Sequence, residues 1–218
     1  MVQLYLVRHG ETIENAEGVL QGLMPGNLSE QGKEQVRVLG EELRGQHFDV
    51  MFVSDLHRTV QTAELLNEVL QLPIIKTPIL RERDWGEVTG KKITDIDTYD
   101  FPPSVETVEH IFERAATFIN MLLHDYDGKR ILAVSHGLFS RALQACNIGK
   151  TIREVPRMKN AEVRLLELIH PIVLQHQEAE GYCPKKVCKL QSSYICSELK
   201  NQRKNNEAYK RTKIGINF

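Results

Sequence analysis

The chain has 218 residues, a formal net charge of −1, 41% hydrophobic and 26% charged residues, and aromatics at only 6%. Such values belong to an ordinary globular chain long enough to bury a core, and they exclude disorder throughout. No run approaches the roughly 18 consecutive apolar residues of a membrane span, and the balanced charge gives no general attraction to nucleic acid or a lipid surface.

The first apolar run predicts a strand over Gln3–Arg8, and it leads directly into Arg8 and His9 within LVRHGET. A charge at the end of a buried strand is costly unless it is paired or meets an anion, so something negative is expected there. Ser29, followed by Gln31, Gly32 and the apolar positions Val36, Leu39 and Leu43, predicts a capped helix from Ser29 to Arg44. A strand over Val50–Ser54, a helix from His57 to about Leu70 and a strand over Pro73–Lys76 come next. A longer helix is predicted from about Ser104 to His124, on the stripe that Ile111, Phe112, Ala115, Phe118 and Ile119 form. The pattern closes with a strand over Arg130–His136, a helix beginning immediately after it, and a strand over Glu162–Leu168.

From about His170 the periodicity fades. Residues 1–170 carry 19 Lys and Arg against 25 Asp and Glu, whereas residues 171–218 carry 9 against 4. The chain therefore divides into an acidic body, 1–170, and a basic C-terminal extension, 171–218. Cys146 lies in the body; Cys183, Cys188 and Cys196 lie in the extension at spacings that match no standard zinc pattern, so reduced thiols are expected. No basic-then-apolar leader opens the chain, and a cytoplasmic location is expected.

Strands alternating with helices predict a three-layer α/β/α sandwich with an open, mainly parallel central sheet. Ligands of such sheets sit beyond the carboxyl ends of the strands, near a switch in strand order. Arg8, His9, Ser54 and His136 should share that rim.

Four segments with chemistry-bearing residues fall at or near strand ends: LVRHGET at 6–12, VSDLHRTVQTA at 53–63, LRERDWGEVTG at 80–90 and VSHG at 134–137. Together, and over Met1 to about Leu168, they resemble the phosphoglycerate-mutase-like branch of the histidine phosphatase superfamily. The resemblance implies a nucleophilic His9, phosphate-binding Arg8 and Arg58, a second active-site histidine in His136, and Glu82 as proton donor. It also points to Asn15 as a phosphate contact, while Arg83 is expected to line the pocket. Glu106 through Arg114 matches the family's helix after the substrate loop.

The residue chemistry leads to the same place. Two guanidinium groups and two imidazoles form a receptor for a phosphoryl group, whose charge is spread over three oxygens. A neutral imidazole can attack phosphorus and give a phosphoramidate for water to hydrolyse, with Glu82 protonating the leaving oxygen and later deprotonating the water. Backbone N–H groups at the helix that opens with Gly137 should add to the anion site.

No metal and no cofactor are required. The expected partner is a small phosphorylated metabolite rather than nucleic acid or a membrane, and the sequence is compatible with a homodimer.

A mutase would need further cations between the Glu82 motif and the next helix. That segment, GKKITDIDTYDFPPS, has acids and no arginine. Hydrolysis is therefore favoured, with a mutase or a non-catalytic phospho-ligand module as the alternatives, and Lys91 and Lys92 are the candidates for an anionic substrate tail.

Overall fold

Apolar residues at period 2 build the centre of the molecule, because successive strand side chains point to opposite faces and both faces here are covered. The computed structural model describes residues 1–97, 100–174 and 185–186; the three cysteines of the extension lie outside the described residues. Strands β1 (Val2–Arg8), β2 (Val50–Ser54), β3 (Ile74–Thr77), β4 (Arg130–Ser135) and β5 (Val163–Leu168) form one sheet in the order β3-β2-β4-β1-β5. The pairs β3·β2, β2·β4 and β4·β1 are parallel, and only β5 runs antiparallel, at the β1 edge.

Alternation along the strands divides the core in two. Leu4, Leu6, Phe52, Ile131 and Ala133 pack with Phe112 and Phe118 of α4 (Val108–Asp125) and with Phe139 and Leu143 of α5 (Gly137–Ile148). Val7, Met51, Val53, Leu132 and Val134 meet Val36 and Leu39 of α2 (Glu30–Glu42) and Leu66 of α3 (His57–Leu70) on the opposite face. The expected three-layer α/β/α sandwich with a mainly parallel sheet is present. No helix among the described residues is long and apolar enough to cross a membrane.

Element boundaries follow the caps. Ser29 accepts the Gly32 N–H at the start of α2. The helix expected from Ser104 begins at Val108, because Thr107 caps it by accepting the His110 N–H and the preceding residues are used elsewhere. His136, expected within a strand, is instead the N-cap of α5. A single helical turn, α1 (Ile13–Ala16), held by a reciprocal cap between Thr12 and Asn15, was not predicted. After β5, Ile172 is buried, and its backbone exchanges hydrogen bonds of 2.8 and 2.9 Å with the Asn120 side chain of α4. Ile172–Val173 then pairs antiparallel with Lys185–Lys186.

Strand order positions the rim. β4 lies between β1 and β2, so the carboxyl ends carrying Arg8, Ser54 and Ser135 are neighbours.

Candidate active site

Beyond those three strand ends opens a cavity of about 260 Å³. Arg8, His9, Asn15, Arg58, Glu82 and Gly137 all line it, so six of the eight residues singled out from sequence meet there.

His9 follows β1 and is almost fully buried. Its loop is clamped from two helices: the Gly10 N–H donates to Thr62 Oγ1 of α3, and the Glu11 N–H to Gln35 Oε1 of α2. Gly10 packs directly on α2, where a Cβ would lie 2.7 Å from both the Gly32 carbonyl oxygen and a Val36 methyl. Gly32 is equally constrained, since a Cβ there would meet the Glu11 carbonyl oxygen at 2.0 Å.

The His9 Nδ1 lies 2.7 Å from the Gly10 carbonyl oxygen. A carbonyl only accepts, so Nδ1 carries the proton and Nε2 of the neutral ring holds a free electron pair. Burial, and then the charges of Arg58 and Arg8, hold the His9 imidazole well below its usual range.

His136 is fully buried and stands behind His9 rather than on the cavity wall, with ring centroids 5.2 Å apart. Its Nε2 lies 2.8 Å from Ser54 Oγ, and its Nδ1 is buried without a partner. Burial, followed by the Arg58 charge, keeps it well below the ordinary histidine value too.

The two arginines are anchored through carbonyls. Arg8 Nη1 donates to Met158 O at 2.6 Å, and Gly137, lacking a side chain, lets the guanidinium lie over the start of α5. Arg58 donates from Nη1 to Met24 O and from Nη2 to Gly22 O, at 2.5 and 2.8 Å. Each keeps a buried Nε with no partner. Burial lowers the Arg58 guanidinium to about 10 and also lowers that of Arg8. Two cations held side by side with unused donors are costly to bury and suit an incoming dianion.

Glu82 follows the 3-10 turn Pro78–Leu80 and reaches the first turn of α5. Its Oε2 accepts the Leu138 N–H, and its Oε1 accepts those of Phe139 and Arg83, at 2.9 to 3.1 Å. Two of the backbone donors expected to serve the anion site therefore hold this carboxyl group instead. Asn15 Oδ1 accepts from Thr12 and Asn160, which leaves its amide nitrogen as the available donor.

Arg83 does not line the cavity; its Nε donates to Glu106 O and its guanidinium lies 4.7 and 4.8 Å from the Trp85 and Phe101 ring centroids. Lys91 and Lys92 are also absent from the wall. Trp85 both packs with Val88 and Val105 and faces the cavity.

Sequence reasoning did not single out Gln21, Arg141, Arg157 or Met158, which also line the cavity. The last three lie outside the four motifs, on α5 and the irregular segment before β5. Among the described residues no group of three or more His, Cys, Asp or Glu is placed to hold a metal ion. Cys146 is buried away from the site, with its thiol pushed up to about 12 by burial.

Comparison with known proteins identifies the family. The profile of the histidine phosphatase superfamily (branch 1) matches residues 4–171. A curated relative, the uncharacterized phosphatase PhoE of Bacillus subtilis, is 34% identical over 147 residues, 66% of this chain and 76% of its own length. Phosphoserine phosphatase 1 of Hydrogenobacter thermophilus is 32% identical over 163 residues, 68% of this chain and 77% of its own. A probable phosphoglycerate mutase GpmB of Erwinia tasmaniensis is 28% identical over 68% of this chain and 76% of its own. The crystal structure of a putative alpha-ribazole-5'-P phosphatase from Escherichia coli superposes with a TM-score of 0.69 at 28% identity, covering 80% of this chain and 92% of that one.

Proposed function

The chain belongs to the histidine phosphatase superfamily and is a phosphatase of that type; from this premise we propose that His9 is its nucleophile and Glu82 its general acid and base. One observation carries the assignment. The proton on His9 Nδ1 is committed to the Gly10 carbonyl, so the free electron pair is on Nε2.

The phosphoryl group of a small phosphate monoester binds in the cavity between the guanidinium groups of Arg8 and Arg58 and the amide of Asn15. Nε2 of His9 attacks phosphorus, the P–O bond to the alcohol breaks, and the departing oxygen takes a proton from the Glu82 carboxyl group. Oε2 of Glu82 accepts only the Leu138 N–H, so it keeps a lone-pair position for that proton. Water then attacks the phosphohistidine and gives a proton to the Glu82 carboxylate; the N–P bond breaks, and inorganic phosphate leaves. His136, fixed by Ser54, packs edge-on against the His9 ring and holds the nucleophile in place. Arg8 and Arg58 neutralise charge as it develops, with no reorganisation at the moment of reaction.

Hydrolysis is favoured over return of the phosphoryl group. The segment between Glu82 and α4, where a mutase would need its further cations, contributes Trp85, Ile93, Ile96 and Phe101 to the cavity wall and no cation. Brief reaction with a ³²P-labelled phosphate ester, quenched in alkali, should leave acid-labile, base-stable label on the wild type. Equal labelling of His9→Ala would overturn the assignment.

A further inference from the structure

Residues 159–162 form a turn that leads into β5, with the Glu162 N–H donating to the Lys159 carbonyl, and none of them lines the catalytic cavity. The turn nevertheless grips the start of the nucleophile loop. The Ala161 N–H is shared between the Arg8 and His9 carbonyls, at 3.0 and 3.2 Å, and Ala161 holds φ at +53°, a left-handed conformation that is costly for a residue with a Cβ. Such a conformation persists only where its surroundings enforce it.

Asn160, beside it, donates from Nδ2 to His9 O and to Asn15 Oδ1, both at 3.2 Å. A backbone carbonyl can only accept, so the atom facing His9 O is nitrogen, and the Asn160 amide has one orientation. Its second hydrogen then sets the next amide. The oxygen and nitrogen of Asn15 are alike in size, and only their partners decide which of them faces the cavity. Apart from Asn160, Asn15 Oδ1 has the Thr12 N–H at 3.4 Å, a long bond.

Resting on the reading of the cavity as a phosphoryl site with Asn15 among its contacts, we propose that Asn160 is a positioning residue: it turns the Asn15 amide so that nitrogen, not oxygen, meets the phosphoryl group. An amide free to rotate would also present Oδ1, and oxygen against a phosphoryl oxygen repels. With the orientation set beforehand, binding does not have to select it.

The test reads the inhibition constant of inorganic phosphate against p-nitrophenyl phosphate hydrolysis, a value independent of how much of a variant is folded. Asn15→Ala should raise it by about tenfold to a hundredfold, as expected for the loss of a hydrogen bond to a charged group. Asn160→Asp keeps the shape but can only accept, so it draws the Asn15 nitrogen away from the cavity and should raise the constant at least as much. Asn160→Ala neither donates nor accepts and should raise it by about twofold to tenfold. A packing role would reverse that order, because aspartate fills the space of asparagine and alanine does not. In an Asn15→Ala background, Asn160→Asp should retain about fivefold at most, the repulsion of its charge alone. If Asn160→Asp does not fold, Asn160→Ala carries the same test, its effect vanishing once residue 15 is alanine.

A larger effect of Asn160→Ala than of Asn160→Asp, no effect of either, or effects undiminished in the Asn15→Ala background would overturn the role of Asn160 alone. An Asn15→Ala protein that binds phosphate like the wild type would overturn the reading of Asn15 beneath it.

Discussion

Lowering the pH from 7.5 to 5.5 is expected to cost the folded protein about 2.7 kcal/mol through two side chains, His9 and His136. Burial first, and the Arg58 charge second, hold both imidazoles neutral well below the usual value of 6.5. The unfolded chain therefore binds more protons than the folded chain as the pH falls. This contribution is complete above about 6.5 and is lost below it, down to the depressed values of the folded state. For a group that titrates only when unfolded, the step from 7.5 to 5.5 is worth about 1.4 kcal/mol, and two such groups double it. Urea unfolding at the two pH values, at fixed ionic strength and without phosphate, measures the difference. His9→Gln and His136→Gln should each lose about half of the pH dependence, whatever their absolute stability. The same dependence in the wild type and both variants would refute the description of the site as two neutral, buried imidazoles.

Glu82→Gln should slow hydrolysis of an alkyl phosphate by about 10²–10⁴-fold and slow the first turnover of p-nitrophenyl phosphate far less, because a phenolate leaves unaided. Stopped-flow traces should show a burst on the activated ester, and equal losses without a burst would move the proton donor elsewhere. Arg114→Met tests the support of the Glu82 loop: Arg114 bonds the Glu106 carboxylate and the carbonyls of Ile79 and Arg81. Breaking this largely buried pair should cost about 3–5 kcal/mol in denaturant unfolding. It should also reduce kcat on an alkyl ester by about 10²-fold through misplacement of Glu82, and a folded variant with normal kcat would refute the supporting role. Ending the chain after residue 175 retains Ile172 and its Asn120 bonds and should leave hydrolysis intact; a folded but inactive product would place part of the chemistry in the basic extension.

The sheet was legible because its strands are buried on both faces and the helices between them keep one apolar stripe. Arg8, His9, Arg58 and His136 were legible because strand ends in such a sheet converge, which makes short motifs far apart in sequence into neighbours. Other features depend on contacts that leave no periodic trace. Nothing in REVPRMKN says that Arg141 and Arg164 hold that segment from either side, so Arg157 has no signal as a cavity residue. Arg83 looked like a pocket residue from its neighbours in LRERDWGE, but the Trp85 and Phe101 rings and the Glu106 carbonyl draw it away. The helix start expected at Ser104 was displaced for a similar reason: Ser104 and Glu106 bond the loop that carries Glu82 and Glu87.

The approach of Gly10 to the first turn of α2 makes the LVRHGET motif impossible to transplant by itself. A designer who grafts it onto the end of another parallel strand brings the nucleophile but not the surface on which the nucleophile rests. That surface is a helix turn with a bare backbone at Gly32, twenty-two positions later in the chain and absent from the cavity wall. A single methyl group there collides with the Glu11 carbonyl and levers the histidine loop outward. Unbiased mutational scans should accordingly rank Gly32 among the most sensitive positions, and a successful graft has to copy the helix along with the motif.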